Sequence, residues 1–296
     1  MAVNFQELLQ KAKQKDKIKV AVVNPIDSVS LGGVIEAQKE GIIDPVLYGL
    51  RSDIELAAKK YSLDISKCEI VDCIDEQTAI QLAVESCREG TAQALMKGKV
   101  HTDDLMRAVV KRETGLRTDS QISSVFAIHV PTYHKLLFIT DPAINILPSL
   151  EQKEKIILNA IALIKNIGIE RPKVGGLSAV EDANAKILGS VEAKELANNP
   201  NLKEKCIIEG PFAFDNIISK KAAEIKGMKS EVAGDVDLIL VPNLEVGNVL
   251  FKTLVYLANA EVAGIVLGAK VPIILTSRAD NTKARLMSAV LACLSV

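Results

Sequence analysis

The chain lacks the features that mark several large classes of protein. Across 296 residues, 36 Lys+Arg stand against 37 Asp+Glu, a formal net charge of -1. Without a cationic excess there is no electrostatic footprint for nucleic acid, and without a block of like charge there is no polyelectrolyte tail. Any recognition of anions must be local. No apolar run reaches the ~18 residues of a membrane span. The most apolar stretch, 258–275, is interrupted by Glu261 and Lys270. The opening "MAVNFQELLQKAKQK" has the spacing of an amphipathic helix rather than the pattern of a secretory signal. Cys68, Cys73, Cys87, Cys206 and Cys293 are scattered, with no Cys-x-x-Cys pair and no His/Cys cluster suited to zinc. The expectation is a cytoplasmic protein with reduced, buried thiols and no metal.

Familiar catalytic motifs are missing too. "KGKV" is not a Walker loop: Val follows the second Lys, and the earlier glycine of that motif is absent. "GGLSAV" is not a Gly-x-Ser-x-Gly nucleophile elbow. Gly32-Gly33 opens a helix but lacks the third glycine of a dinucleotide fingerprint. His101, His129 and His134 have no metal-ligand spacing. There is no low-complexity linker and no fixed-period repeat.

What is present is alternation. Hydrophobic residues make up 48% and charged residues 25%, ordinary values for a globular chain. Short apolar runs, "IKVAVV" (18–23), "PVLYGL" (45–50), "EIVDC" (69–73) and "QALMKG" (93–98), alternate with amphipathic stretches at 30–40, 52–61 and 76–89. Strands this apolar need cover on both faces, and intervening helices supply it; the pattern predicts an α/β fold with parallel sheet. A second set follows. Strands are expected at "LLFITD" (136–141), "KVGGLSAV" (173–180), "CIIEGPFAF" (206–214), "VDLILVPN" (236–243) and "GIVLGAKVPIIL" (264–275). Helices are expected at 149–166, 182–198, 214–224, 246–259 and 281–294. A crossing near Pro131, after "SSVFAIHVP", divides the chain into two α/β domains, with the active site expected in the cleft between them.

Open α/β sheets bind ligands beyond the carboxyl ends of their strands. Those ends deliver Lys97, Gly98, Lys99, His101 and Thr102; Thr140, Asp141 and Asn145; Ser178 and Glu181; Asn243, Glu245, Gly247 and Asn248; and Thr276, Ser277, Arg278 and Asp280. Guanidinium forks, hydroxyls, helix N-termini and glycines that admit a close backbone approach are the means of holding an anion. For any one of them the simpler reading is strong: an Asp or Thr there is more often just a helix cap.

The stretches "KGKVHTDDLMRAVV", "ISSVF", "FITDPAINILPSLEQKEKIILNAI", "LSAVEDAN", "VAGDVDLILVPNLEVGN" and "IILTSRADNTKARLMS" resemble the phosphate acetyl/butyryl transferase family over nearly the whole chain. "TDPAIN" and "SAVED" look closer to its butyryl branch. The resemblance implies a two-domain fold of the isocitrate/isopropylmalate dehydrogenase type, with 1–131 and 268–296 forming a discontinuous first domain and 132–267 a second. It implies a homodimer that moves a short-chain acyl group between coenzyme A and inorganic phosphate, with coenzyme A as substrate and no tightly bound cofactor.

Residue by residue, Ser277 and Arg278 match the family's Ser-Arg pair, Arg107 its helix arginine, and Ser123 and Ser124 its Ser-rich stretch. Lys97, Gly98, His101, Thr102, Asp141, Asn243, Gly247 and Asn248 complete the expected substrate contacts. Ala284 stands where the acetyl branch carries its catalytic aspartate. Asp280 is therefore open to two roles, proton transfer at the coenzyme thiol and helix N-cap. Two other readings of the same residues are a transferase that uses acyl carrier protein and a coenzyme A-binding protein without turnover.

Overall fold

A computed structural model describes residues 4–275 and 281–296. The expected catalytic residues Ser277, Arg278 and Asp280 lie outside the described residues. In chain order the first elements are α1 (Phe5–Lys13), β1 (Ile18–Val23), α2 (Ser28–Lys39), β2 (Ile43–Gly49), α3 (Arg51–Lys60), β3 (Glu69–Asp72), α4 (Glu76–Arg88), β4 (Ala94–Lys97) and α5 (Thr102–Val109). Next come β5 (Ser123–His129), β6 (Leu137–Thr140), α6 (Leu150–Asn166), β7 (Lys173–Leu177), α7 (Leu188–Asn198), α8 (Pro200–Lys205), β8 (Ile207–Phe212), α9 (Phe214–Ile218), α10 (Lys220–Ile225), β9 (Leu238–Leu240) and α11 (Leu244–Leu257). The chain then returns through β10 (Glu261–Leu267), β11 (Ile273–Ile274) and α12 (Thr282–Ser295).

These elements form two compact units. One joins Gln6–Ile122 to Ala263–Val296; the other is built on Ser123–Val262. In the first, the strand order is β3-β2-β1-β4-β11-β10. Its strands pair in parallel except for β10, which runs antiparallel to β11. Val20, Ala21, Val22 and Val23 of β1 are fully buried, as a strand covered on both faces requires. In the second unit the order is β5-β6-β9-β7-β8, parallel apart from the antiparallel β5–β6 pair. The chain is thus α/β with mixed sheet.

Three expected elements take a different form. The run 264–275 is two antiparallel strands, with Val266 opposite Ile273. Gly268 has φ +88°, a left-handed conformation that glycine adopts without a steric penalty, and the chain reverses there. The helix expected from 182 starts at Leu188. Ahead of it, Asn184 Oδ1 accepts from the Lys186 N–H at 2.9 Å and Ser190 Oγ accepts from the Asn184 N–H at 2.8 Å. Such local side-chain bonds offer the backbone an alternative to the helix. The helix expected at 214–224 is broken at Ser219, whose hydroxyl caps α10 by accepting from the Ala222 N–H at 3.2 Å.

Candidate active site

The order β3-β2-β1-β4 reverses direction between β1 and β4. At such a switch point the connections leave on opposite faces, and a crevice opens at the carboxyl ends of the two strands. A cavity of about 490 Å³ is present in the same unit, lined by Asp27, Ser28, Val29, Glu76, Gly98, Lys99, Val100, His101 and Arg285.

Its walls are held by backbone bonds between the two strand ends. The Gly98 N–H donates to the Val23 carbonyl and the Lys99 N–H to the Asn24 carbonyl, both at 2.8 Å. The Asn24 amide returns a bond to the Lys99 carbonyl at 3.2 Å. A Cβ at residue 98 would meet the Val23 carbonyl oxygen at 2.3 Å, so only glycine permits this approach. On the opposite wall, Asp27 caps α2 by accepting from the Val29 N–H at 3.0 Å and the Ser30 N–H at 2.8 Å. Burial alone would raise the Asp27 carboxyl. The Ser30 bonds, the nearby Arg285 guanidinium and the Val29 amide outweigh it and hold the group below the usual carboxylate value.

Of the expected residues, Gly98 and His101 line this cavity. Lys97 lies beneath it, 3% exposed, its ammonium turned back to the Gly98 and Val100 carbonyls at 3.4 and 3.3 Å. Thr102 begins α5, and Arg107 stands on the same helix with its side chain 71% exposed and paired with Asp104 at 2.9 Å.

The second unit gathers a different group. Asp141 is 3% exposed, and its carboxylate accepts from the Ser124 hydroxyl, the Ala143, Ile144 and Asn145 amides at 3.0 Å each, and the Asn145 side chain at 2.5 Å. Ser123 Oγ accepts from Asn159 at 2.9 Å. Asn243 caps α11 through the Val246 N–H at 3.0 Å, and Asn248 donates to the Pro142 carbonyl at 3.5 Å. A Cβ on Gly247 would sit 2.8 Å from Pro142 Cα, so this glycine lets α11 pack on the turn that Asp141 organises. Ser124, Asp141, Gly247 and Asn248 are therefore brought together at one turn, while Ser123 is bonded to Asn159 of α6 and Asn243 caps α11.

The expected residues omit Arg285, Asp27, Ser28 and Glu76. For Arg285 a signal existed: it is a lone guanidinium in the otherwise apolar helical run "ARLMSAVLACL". Among the described residues, no cluster of His, Cys, Asp or Glu has the makings of a metal site, and no helix is long and apolar enough to cross a membrane.

The model of the phosphate acetyl/butaryl transferase family matches residues 75–293. The chain belongs to that family. Among its relatives, the phosphate acetyltransferase of Rhizobium meliloti is 45% identical over 292 residues, covering 98% of this chain and 92% of that protein. The phosphate butyryltransferase of Clostridium acetobutylicum is 38% identical over 296 residues, covering 99% and 98%. The crystal structure of a branched-chain phosphotransacylase from Enterococcus faecalis V583 superposes with a TM-score of 0.83 at 30% identity, covering 94% of this chain and 98% of that one. The family match includes α4, β4, α5 and α12, and so every part of the cavity except the Asp27–Val29 wall.

Proposed function

We propose that this protein is a phosphate acyltransferase. It moves a short-chain acyl group between coenzyme A and inorganic phosphate, in the cytoplasm where both substrates occur. The observation that carries the reading is the near full-length likeness to transferases of both the acetyl and the butyryl name, at 45% and 38% identity.

The reaction proceeds by direct transfer while both substrates are bound. A phosphate oxygen attacks the thioester carbon, the C–O bond forms, the C–S bond breaks, and the phosphate proton passes to the departing sulfur. Holding both reactants in line lowers the barrier by up to about 7–11 kcal/mol in well-oriented cases. Arg278 binds the phosphoryl oxygens and the charge that develops on the carbonyl oxygen, and Ser277 orients that carbonyl. Asp280 carries the proton between phosphate and sulfur. Of the residues assigned to phosphate and coenzyme, Gly98 and His101 act at the cavity wall, Lys97 through the Gly98 and Val100 carbonyls it holds beneath it, and Thr102 and Arg107 from α5. Ser124, Asp141, Gly247 and Asn248 act on the substrates through the turn they support, and Ser123 and Asn243 by holding α6 and α11.

The active form is a homodimer. Supporting this, Val249, Tyr256 and Leu257 of α11, and Ile146, Leu147 and Leu188 of the same unit, are exposed. A groove of about 840 Å³ lined by Leu147, Leu188, Val246, Val249 and Leu250 lies among them. Knobs and groove on one face are what a two-fold, self-complementary interface needs. Val249→Glu is expected to convert the dimer to monomer in sedimentation velocity; a variant that still sediments as a dimer contradicts this interface.

Thiol release from acetyl-, propionyl-, butyryl- and branched acyl-CoA, in phosphate buffer and in a phosphate-free control, tests the function. Release that requires phosphate is expected. Release of equal rate in both buffers would mark a thioesterase instead, and preference for acyl carrier protein thioesters would move the donor assignment away from coenzyme A.

A further inference from the structure

Arg285 is 2% exposed, on a helix whose other inward residues include Leu286, Met287, Ala289 and Val290. Withdrawing a guanidinium from water is costly, and a buried charge is weak evidence of a stabilising role. Stability alone does not explain a charge here. Its contacts point elsewhere. Nη1 donates to the Lys97 carbonyl at 3.0 Å. The N–H of the same peptide unit, that of Gly98, donates to the Val23 carbonyl at 2.8 Å. The Lys97–Gly98 peptide is thus pinned on both sides, by β1 through its N–H and by α12 through its carbonyl. The next residues, Gly98 to His101, are the cavity wall.

The opposite wall is tied to the same side chain. A Cβ on Gly33 of α2 would lie 2.6 Å from Arg285 Cβ, so α2 is notched to admit the arginine. Asp27, at the head of α2, is held ionised in part by the Arg285 charge. Arg285 therefore touches α2, the end of β4 and its own helix α12, which begins directly after the 276–280 stretch that carries Ser277 and Arg278.

We propose that Arg285 is a positioning residue: by fixing the Lys97 carbonyl it sets the Gly98–His101 wall relative to α12 for acyl transfer. The inference rests on the acyltransferase reading for its link to turnover. Its geometric part stands separately, because loop order is measured without substrate.

Arg285→Met and Arg285→Lys provide the test, with kcat, KM for phosphate and for acyl-CoA, thermal midpoint, and hydrogen exchange of the peptide spanning 97–101. Arg285→Met removes a buried charge but leaves the Lys97 carbonyl without its side-chain donor, so the thermal midpoint is expected to fall while the chain stays folded. Its kcat should fall on the order of tenfold to a hundredfold, the scale of a reacting geometry displaced by about 1 Å. The fall should be larger in kcat than in either KM, and exchange at 97–101 should speed up. Arg285→Lys, which retains a donor and a charge, should recover part of both. Should Arg285→Met fail to fold, the lysine variant decides by its kcat and its loop exchange. Turnover within twofold of the unaltered chain together with unchanged exchange overturns the proposal. So does a loss of activity that merely follows loss of fold and that lysine does not relieve. An unaltered chain without phosphate-dependent turnover would remove the acyltransferase reading alone, and exchange at 97–101 would still judge the positioning role.

Discussion

At the ends of β1 and β4, charged groups surround an open cavity; at the end of β6, the Asp141 carboxylate is spent on the turn that follows it. Asp27 makes the comparison closer still, because it too is a capping carboxylate, yet it lines the cavity. The difference lies in what the bonds leave over. Ser124, three backbone amides and the Asn145 side chain occupy Asp141. Around the first cavity, the backbone does the holding through Gly98, Lys99 and Asn24, and side chains such as His101 remain exposed beside it. Polar residues at a strand end can form a ligand site or a scaffold, and the two respond to mutation in opposite ways.

The largest effect is expected outside the described residues. Arg278→Ala should lower phosphate-dependent turnover by about a hundredfold or more while the thermal midpoint stays within a degree or two. Near-normal turnover in that variant would remove Arg278 from the catalytic role. Asp141→Asn should behave the other way. Losing charge-assisted bonds in a buried turn is expected to cost on the order of 3 kcal/mol in denaturant unfolding. Turnover per folded molecule should fall far less than in Arg278→Ala. A variant of full stability and no activity would move Asp141 from scaffold to chemistry and dissolve the contrast.

The smallest effect concerns a charge cluster at the far end of the second unit's strands. Asp235 is bonded to His134 at 2.8 Å and Lys135 at 2.8 Å, and to Lys173 at 2.6 Å. Burial raises its carboxyl, but the bonds from Lys135, Lys173 and His134 outweigh that and push it far below the usual range. A depressed carboxyl stabilises above its unfolded value, about 3.9, and that stabilisation fades as pH falls through the folded value. Asp235→Asn should therefore melt lower than the unaltered chain at pH 7, with a gap that holds down to about pH 4 and closes below it. A gap that is constant down to pH 2 would mean that the ionised carboxyl contributes nothing.

The α/β class, and most helix and strand positions, were legible because strands buried on both faces read as short apolar runs and alternate with amphipathic helical stretches. Gly98 was expected to let the backbone approach a ligand; the structure shows a different need for glycine, since a Cβ there would meet the Val23 carbonyl oxygen at 2.3 Å. The break at Ser219 and the late start of α7 at Leu188 were not legible, because single Ser and Asn bonds decided them locally. The support role of Ser124 and Asp141 was hidden for a different reason. A hydroxyl and a carboxylate 17 positions apart carry no sign in sequence that they will bond to each other. Arg285 carried one sign, a lone guanidinium in an apolar helical run, but its partner is a backbone carbonyl, which no residue type announces.

The account stands on transfer to phosphate. The most direct measurement incubates the protein with butyryl-CoA and phosphate, and quantifies free thiol and acyl phosphate together, the latter trapped as its hydroxamate. One acyl phosphate for every thiol is the predicted result, with neither formed when phosphate is omitted. Thiol released without matching acyl phosphate would contradict it.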